Sequence, residues 1–271
     1  MRIDAALRQA RRAGRPIVVP YVLVDRSRAA RLGATVLALA SGGATAVELG
    51  FPFSDPIADG PVLAAAASRA LAHGTEWADL LRALRTTTAI VPAAVMTYAN
   101  PVLRHGLEAG LRELASAGAS GLIVPDLSLE EAPPWHRAAQ RAGLSLVLLA
   151  APAADEARVG RIARASRGFL YLVSRYGTTG RRGTTEVGGL RPLVRAARTA
   201  APALPILLGF GVRDAATARR AMTAGVDGVV VGTALEERIA TGGTAAGLGR
   251  WMATLAAGAV PRRTTPVRAQ A

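Results

Sequence analysis

Short continuous aliphatic runs alternate along the chain with longer segments in which apolar residues recur every three or four positions. The first pattern predicts strands buried on both faces, and the second predicts amphipathic helices. The runs are Ile17–Leu23, Ala46–Leu49, Ala93–Tyr98, Gly121–Asp126, Leu144–Leu149, Phe169–Ser174, Pro205–Leu208 and Val226–Val231. Helices are expected over residues 1–14, Arg28–Ser41, Leu63–Ala72, Glu76–Arg85, Leu107–Ser116, Leu129–Arg141 and Asp155–Ser166, then in a segment ending at Ala200. Gly42-Gly43 supplies a helix stop, and Asp214 caps a helix that runs to Ala224. One last helix follows the final strand to about Ala257. Strands of this kind, each followed by a helix, predict an α/β protein with one parallel sheet, a single (β/α)8 TIM barrel with a short N-terminal helix over residues 1–258. Residues 259–271 form an Arg/Pro/Thr-rich tail that is expected to be disordered. A doubly wound open sheet is the alternative. It favours a glycine-rich turn after the first strand, and here that turn reads Val24-Asp25-Arg26-Ser27.

Composition narrows the chemistry. The chain has 271 residues and no cysteine, so disulfides, thiolate metal sites and a cysteine nucleophile are excluded. All 33 basic residues are arginine. Without a lysine amine, no Schiff-base aldolase mechanism is available. His73, His105 and His136 do not lie at metal-ligand spacing, which argues against a zinc-dependent reaction, and no metal or cofactor is expected. The net charge is +14, but the arginines are spread over helical segments and aromatic residues make up 4% of the chain. That distribution reads as solvated helix faces, not a nucleic-acid surface. No apolar run is long enough to cross a membrane, and the first residues lack the apolar core of a signal peptide, so a cytoplasmic location is expected.

Carbon–carbon chemistry is then left to carboxylates and tyrosines. In a barrel every strand ends at one mouth, which would gather Tyr21, Glu48, Tyr98, Asp126, Tyr171, Gly211 and Gly232 on one rim. Glu48 stands at the end of an otherwise apolar strand, where a carboxylate is costly unless it is paired or used. It reads either as a salt-bridged strand-end residue or as half of an acid/base pair with Asp59. Asp59 returns on a loop stiffened by Pro52, Pro56 and Pro61, and Asp55 is a third carboxylate of that loop. The glycines after the last two strands, Gly211 and Gly232 with Thr233, let backbone N–H groups approach an anion, and Gly180 in the sixth loop offers a further donor. A phosphorylated small substrate is the consequence. Phe210 reads equally as core packing or as the wall of an apolar slot.

The run Glu48-Leu49-Gly50, Pro52-Phe53-Ser54-Asp55-Pro56 and Ala58-Asp59-Gly60-Pro61 closely resembles the signature of the tryptophan synthase alpha subunit family. Met96-Thr97-Tyr98-Ala99-Asn100-Pro101, Val124-Pro125-Asp126-Leu127, Tyr171-Leu172-Val173-Ser174-Arg175 and Gly209-Phe210-Gly211 support the resemblance, which covers nearly the whole chain. It implies retro-aldol cleavage of indole-3-glycerol phosphate to indole and glyceraldehyde 3-phosphate in tryptophan biosynthesis. It also implies a beta-subunit partner in an alpha2beta2 complex. Carried over residue by residue, it implies Glu48 as general acid/base, Asp59 as the second carboxylate and Tyr171 as the tyrosine that positions substrate near Glu48. Thr179 matches the sixth-loop threonine that closes over the site and orients Asp59, while Tyr21, Tyr98 and Phe210 would contact the substrate.

The chain departs from that pattern after the first strand, where Asp25-Arg26-Ser27 replaces the family's usual Gly-Asp-Pro, and the sixth loop carries Arg181 and Arg182. Two other readings therefore stand beside the first. One is a stand-alone indole-releasing lyase or a paralogue with a related substrate. The other is a non-catalytic barrel that activates a beta subunit.

Overall fold

The computed structural model describes residues 2–173, 187–209 and 211–260. Its strands are β1 (Ile17–Leu23), β2 (Val47–Gly50), β3 (Ala93–Met96), β4 (Gly121–Ile123), β5 (Ser145–Val147 and Leu149–Ala150), β6 (Leu170–Val173), β7 (Ile206–Gly209) and β8 (Gly228–Val231). All pairings are parallel, and β1 pairs with both β2 and β8. The ring closes through β5, which is broken at Leu148. Its first piece pairs with β4 and its second with β6. The break leaves no bond unmade: the Leu148 N–H donates to the Ser166 hydroxyl at 3.0 Å and its carbonyl accepts from Tyr171 N–H at 3.1 Å. The result is an eight-stranded closed parallel barrel ringed by helices.

Apart from partly buried Leu149, the strands are buried on both faces, but the two faces pack differently. Val18, Val22, Val47, Leu49, Val95, Leu170, Leu172 and Leu208 point outward against the helices. Ile17, Val19, Tyr21, Leu23, Ala94, Met96, Ile123, Val147, Tyr171, Leu207 and Val230 point inward and fill the barrel. This alternation by twos is the geometry of a strand, concealed in the sequence because both faces are apolar. Helix α1 (Ile3–Arg12) places Ile3, Leu7 and Ala10 in the interior cluster with Phe169, sealing the N-terminal end. The chemistry is thereby confined to the opposite mouth.

The helices are α2 (Ala29–Ser41), α3 (Pro61–Ala72), α4 (Trp77–Thr88), α5 (Ala99–Arg104), α6 (Leu107–Ser116), α7 (Ala132–Ala142), α8 (Glu156–Ala165), α9 (Arg191–Ala200), α10 (Ala215–Met222), α11 (Thr233–Ala240) and α12 (Ala245–Gly258). Asp214 caps α10 as expected, accepting from Thr217 N–H. Two boundaries correct the sequence reading. The expected last helix is two, separated by Gly242-Gly243, with Thr244 starting α12 by accepting from Gly247 N–H. The Asn100-Pro101 segment, where the sequence pattern predicts no helix, is helical in α5, because Asp126 accepts the free Ala99 N–H at 3.0 Å. Residues 261–271, most of the expected tail, lie outside the described residues.

Candidate active site

Glu48 owes its position to strand parity. Its neighbours Val47 and Leu49 face the helices, so Glu48 and Gly50 face the barrel interior. In register, Glu48 lies between Tyr21 of β1 and Ala94 of β3. Its side chain is fully buried, and neither carboxylate oxygen has a hydrogen-bond partner among the described residues. A salt-bridged strand-end residue is therefore not what the structure holds. Burial, reinforced by the charge of Asp59, pushes the Glu48 carboxyl up to about 8, so it carries its proton at neutral pH.

Asp59 is brought to the same space by the proline-stiffened loop that ends at α3. One of its oxygens is buried without a partner, and the other accepts from the Tyr98 hydroxyl at 3.2 Å. Tyr98 is itself held by the Ala58 N–H, which donates to its hydroxyl at 3.0 Å, and by stacking on Phe53 at 5.1 Å between ring centroids. Burial raises Asp59 to about 6, and the Tyr98 hydrogen bond pulls the other way. Two carboxylates in one apolar mouth thus differ in proton affinity, one kept neutral and one ionised near pH 7. Asp55, the third carboxylate of this loop, is exposed and hydrogen-bonded to the Ser54 hydroxyl.

Tyr21 and Tyr171 enter from opposite sides of the barrel. Burial first, then the charges of Asp59 and Glu48, raises both phenols well above their ordinary value, so both stay protonated. Each ring occupies room left by a glycine. A Cβ on Gly50 would lie 2.0 Å from the Tyr21 oxygen, and one on Gly209 would lie 2.3 Å from a Tyr171 ring carbon. These glycines of β2 and β7 serve the site by close approach, a role the sequence reading did not assign.

Tyr21, Asp59, Tyr171, Gly211, Gly232 and Thr233 line one cavity at this mouth. Its floor is apolar and carboxylate-bearing, and its far side is the Gly211 turn (φ 83°) and the N-terminus of α11. Tyr98 reaches the site through Asp59. Thr179, Gly180 and Phe210 lie outside the described residues. Asp126, placed on the rim by sequence, serves as the acceptor at α5 instead of facing the carboxylates. No cluster of three or more His, Asp or Glu side chains suited to a metal occurs among the described residues, and no described helix is long and apolar enough to cross a membrane.

The divergent first loop is held by polar contacts at every residue. Asp25 accepts from the Ser27 N–H and hydroxyl and faces the His73 ring at 3.0 Å. Arg26 bridges Glu76 and Asp79, and Arg28 donates to both oxygens of Glu236 at 2.8 and 2.9 Å. Charge pairing does here what a proline would otherwise do by fixing the backbone.

Known proteins share the sequence and fold of this chain. The family model described as "Tryptophan synthase alpha chain" matches residues 7–253. The tryptophan synthase alpha chain of Synechococcus sp. (strain CC9902) is 44% identical over 236 residues, covering 86% of this chain and 87% of that protein. That of Methanosarcina barkeri is 40% identical, covering 83% and 84%. Among solved structures, a chain of tryptophan synthase from M. tuberculosis, in an aminoacrylate-bound form, superposes with a TM-score of 0.83 at 33% identity over 95% of this chain and 99% of that one. Tryptophan synthase subunit alpha from Legionella pneumophila superposes with a TM-score of 0.82 at 27% identity, over 95% and 97%.

Proposed function

The chain belongs to the tryptophan synthase alpha chain family, and from that premise we propose that it is a carbon–carbon lyase that cleaves indole-3-glycerol phosphate by carboxylate acid/base catalysis. The observation that carries the reading is Glu48, fully buried, without a hydrogen-bond partner among the described residues, and protonated at neutral pH.

An indole carbanion is a poor leaving group, so the ring must be protonated first. Glu48 gives its proton to C3 of the indole, forming an indoleninium. The ionised Asp59 beside the ring N–H stabilises that cation. Glu48, now a carboxylate, takes the proton of the glycerol hydroxyl next to the scissile bond. The bond breaks, its electrons restore the indole ring, and the hydroxyl carbon becomes the aldehyde of glyceraldehyde 3-phosphate. Glu48 ends protonated, so one group closes the cycle. Tyr21 and Tyr171 flank the ring, with Phe210 assigned to its slot by the family resemblance. Gly211, Gly232 and Thr233 take the phosphate; the sequence pattern offers Gly180 as a further donor, and the family resemblance assigns Thr179 to the loop that closes over the site.

Members of this family pair with a beta subunit, and the proposal extends to an alpha2beta2 assembly in the cytoplasm. Two large apolar side chains stand exposed on the segments that follow β2 and β3, Ile57 in the loop (74% exposed) and Leu103 on α5 (49%), and they suit a protein partner. The test is indole release from indole-3-glycerol phosphate by the purified chain, alone and with a beta subunit. Slow release that rises strongly with the partner is the expected result. Fast release by the chain alone would identify a free-standing lyase. A folded chain inert in both conditions, yet stimulating a beta subunit, would identify a non-catalytic activator.

A further inference from the structure

Among the described residues Glu236 is the most deeply buried charged residue outside the proposed catalytic pair, 2% exposed. It sits in the first turn of α11, where its N–H donates to the Gly232 carbonyl at 2.9 Å. Gly232 and Thr233, about one helical turn before it, line the cavity at its phosphate end. A buried negative charge one turn behind an anion subsite opposes the helix-end amides that would bind a dianion. Its charge reaches into the cavity, being among those that raise the Tyr21 phenol.

The groups facing Glu236 come from the first loop and from α3. From the first loop, Arg28 donates to both of its oxygens. From α3, Arg69 approaches to 3.8 Å. Arg28 is shared with a second buried carboxylate, Asp25, at 3.5 Å, and Asp25 in turn faces His73. The cluster thus holds two carboxylates against two guanidiniums and one imidazole. Arg69 is half exposed, which leaves Arg28 as the close counter-ion of Glu236.

We infer that Arg28 is a positioning residue for phosphate recognition: by neutralising Glu236 it keeps the N-terminus of α11 attractive to a phosphorylated substrate, so the divergent first loop tunes affinity for the substrate's phosphate. This rests on the assignment of Gly211, Gly232 and Thr233 as the phosphate end.

The two charges make predictions of opposite sign. Binding of glycerol 3-phosphate, a stable phosphate-bearing probe, and of indole, an uncharged one, is measured by calorimetry on the purified full chain. Arg28→Met is expected to weaken glycerol 3-phosphate binding about tenfold, and Glu236→Gln to tighten it about threefold, for one unit charge acting across a partly screened interior. The double variant returns near wild type, and indole binding changes by less than about twofold in all three. A merely structural ion pair would weaken both ligands in both single variants. That outcome, or glycerol 3-phosphate affinities that move in the same direction, overturns the inference. If Arg28→Met does not fold, Glu236→Gln alone decides, and affinity at or below wild type overturns it. A wild-type chain that binds indole but no glycerol 3-phosphate removes the phosphate assignment itself and the inference with it.

Discussion

Glu48 and Glu236 are the same side chain at nearly the same burial, 0% and 2% exposed, in opposite company. Glu236 faces Arg28 at 2.8 Å, with Arg69 behind it. Glu48 faces an aspartate and two phenols. One is a charge that the protein neutralises, and the other is a charge that the protein suppresses. Folding alone would favour the first arrangement, since a buried carboxylate without a counter-ion opposes stability. The second persists where a proton must be held ready for transfer. Burial alone therefore does not single out a candidate acid; burial without a counter-ion, beside a second carboxylate, does.

The strongest test replaces Glu48 by glutamine. Indole release should fall by about a thousandfold or more, the scale of a positioned acid/base group. Stability should move the other way. The folded carboxyl titrates at about 8 against an ordinary 4.5. Between those values the unfolded chain is ionised while the folded chain holds its proton, so wild-type stability falls as pH rises through that window. The glutamine variant lacks this decline and should be more stable at pH 8 by about 2–4 kcal/mol, read by urea denaturation at pH 5 and pH 8. Equal stability of the two proteins at both pH values would show that Glu48 is solvated or paired after all.

Next in size is Gly209→Ala. Its Cβ would meet the Tyr171 ring at 2.3 Å, so either the ring or β7 must shift. A hundredfold loss of activity, of the order expected for a displacement of about an ångström at a reacting centre, is the expected outcome, with a loss of about 1–3 kcal/mol in stability. Asp59→Asn should cost a comparable factor, by removing the anion beside the developing cation, and it also reports on coupling. The proposed mechanism needs Glu48 protonated and Asp59 ionised, which sets a bell-shaped kcat/KM profile with limbs near 6 and 8. Without the Asp59 charge the alkaline limb moves to lower pH, because that charge is part of what holds the Glu48 proton. An unmoved limb would separate the two carboxylates.

Glu236→Gln supplies the counterpart to Glu48→Gln. It leaves Arg28 facing a neutral amide and should destabilise the chain by about 1–3 kcal/mol, less than the loss of a fully buried pair because Arg28 is partly exposed. The same substitution at two equally buried glutamates would then have opposite signs. Stabilisation at both positions would mean that Arg28 does not compensate its partner.

The contrast also explains what was legible in the sequence. Alternating aliphatic runs and helical periods specified the barrel, because both are local patterns, and the Glu48–Pro61 run carried its chemistry in one continuous stretch. Glu48 could be seen to be anomalous, but not to be unpartnered, since partners come from other strands through registers that no local pattern encodes. Gly50 and Gly209 carry no local sign of their role, because the tyrosines that need their space lie on β1 and β6. Arg28 and Glu236 are separated by more than two hundred positions, and nothing in either neighbourhood announces the other. The α5 helix was missed for the same reason, its N-terminal N–H being satisfied by Asp126 from the next strand's loop.

The smallest expected effect belongs to Tyr98, which touches the site through Asp59. Its hydroxyl donates to Asp59 at 3.2 Å and accepts from Ala58 N–H at 3.0 Å, tying the carboxylate to its own loop. Tyr98→Phe keeps the ring and its stacking on Phe53 but leaves the Asp59 oxygen without its donor. That hydrogen bond favours the ionised carboxylate, so its loss should raise Asp59 above its value of about 6. The acid limb of the pH profile then moves to higher pH, opposite in sense and limb to the shift in Asp59→Asn. At pH 8, where Asp59 is ionised in either protein, the residual loss in kcat should be about three- to tenfold, the scale of one positioning hydrogen bond. A profile that keeps its shape while activity falls equally at every pH would assign Tyr98 to substrate contact, and a shifted acid limb assigns it to Asp59.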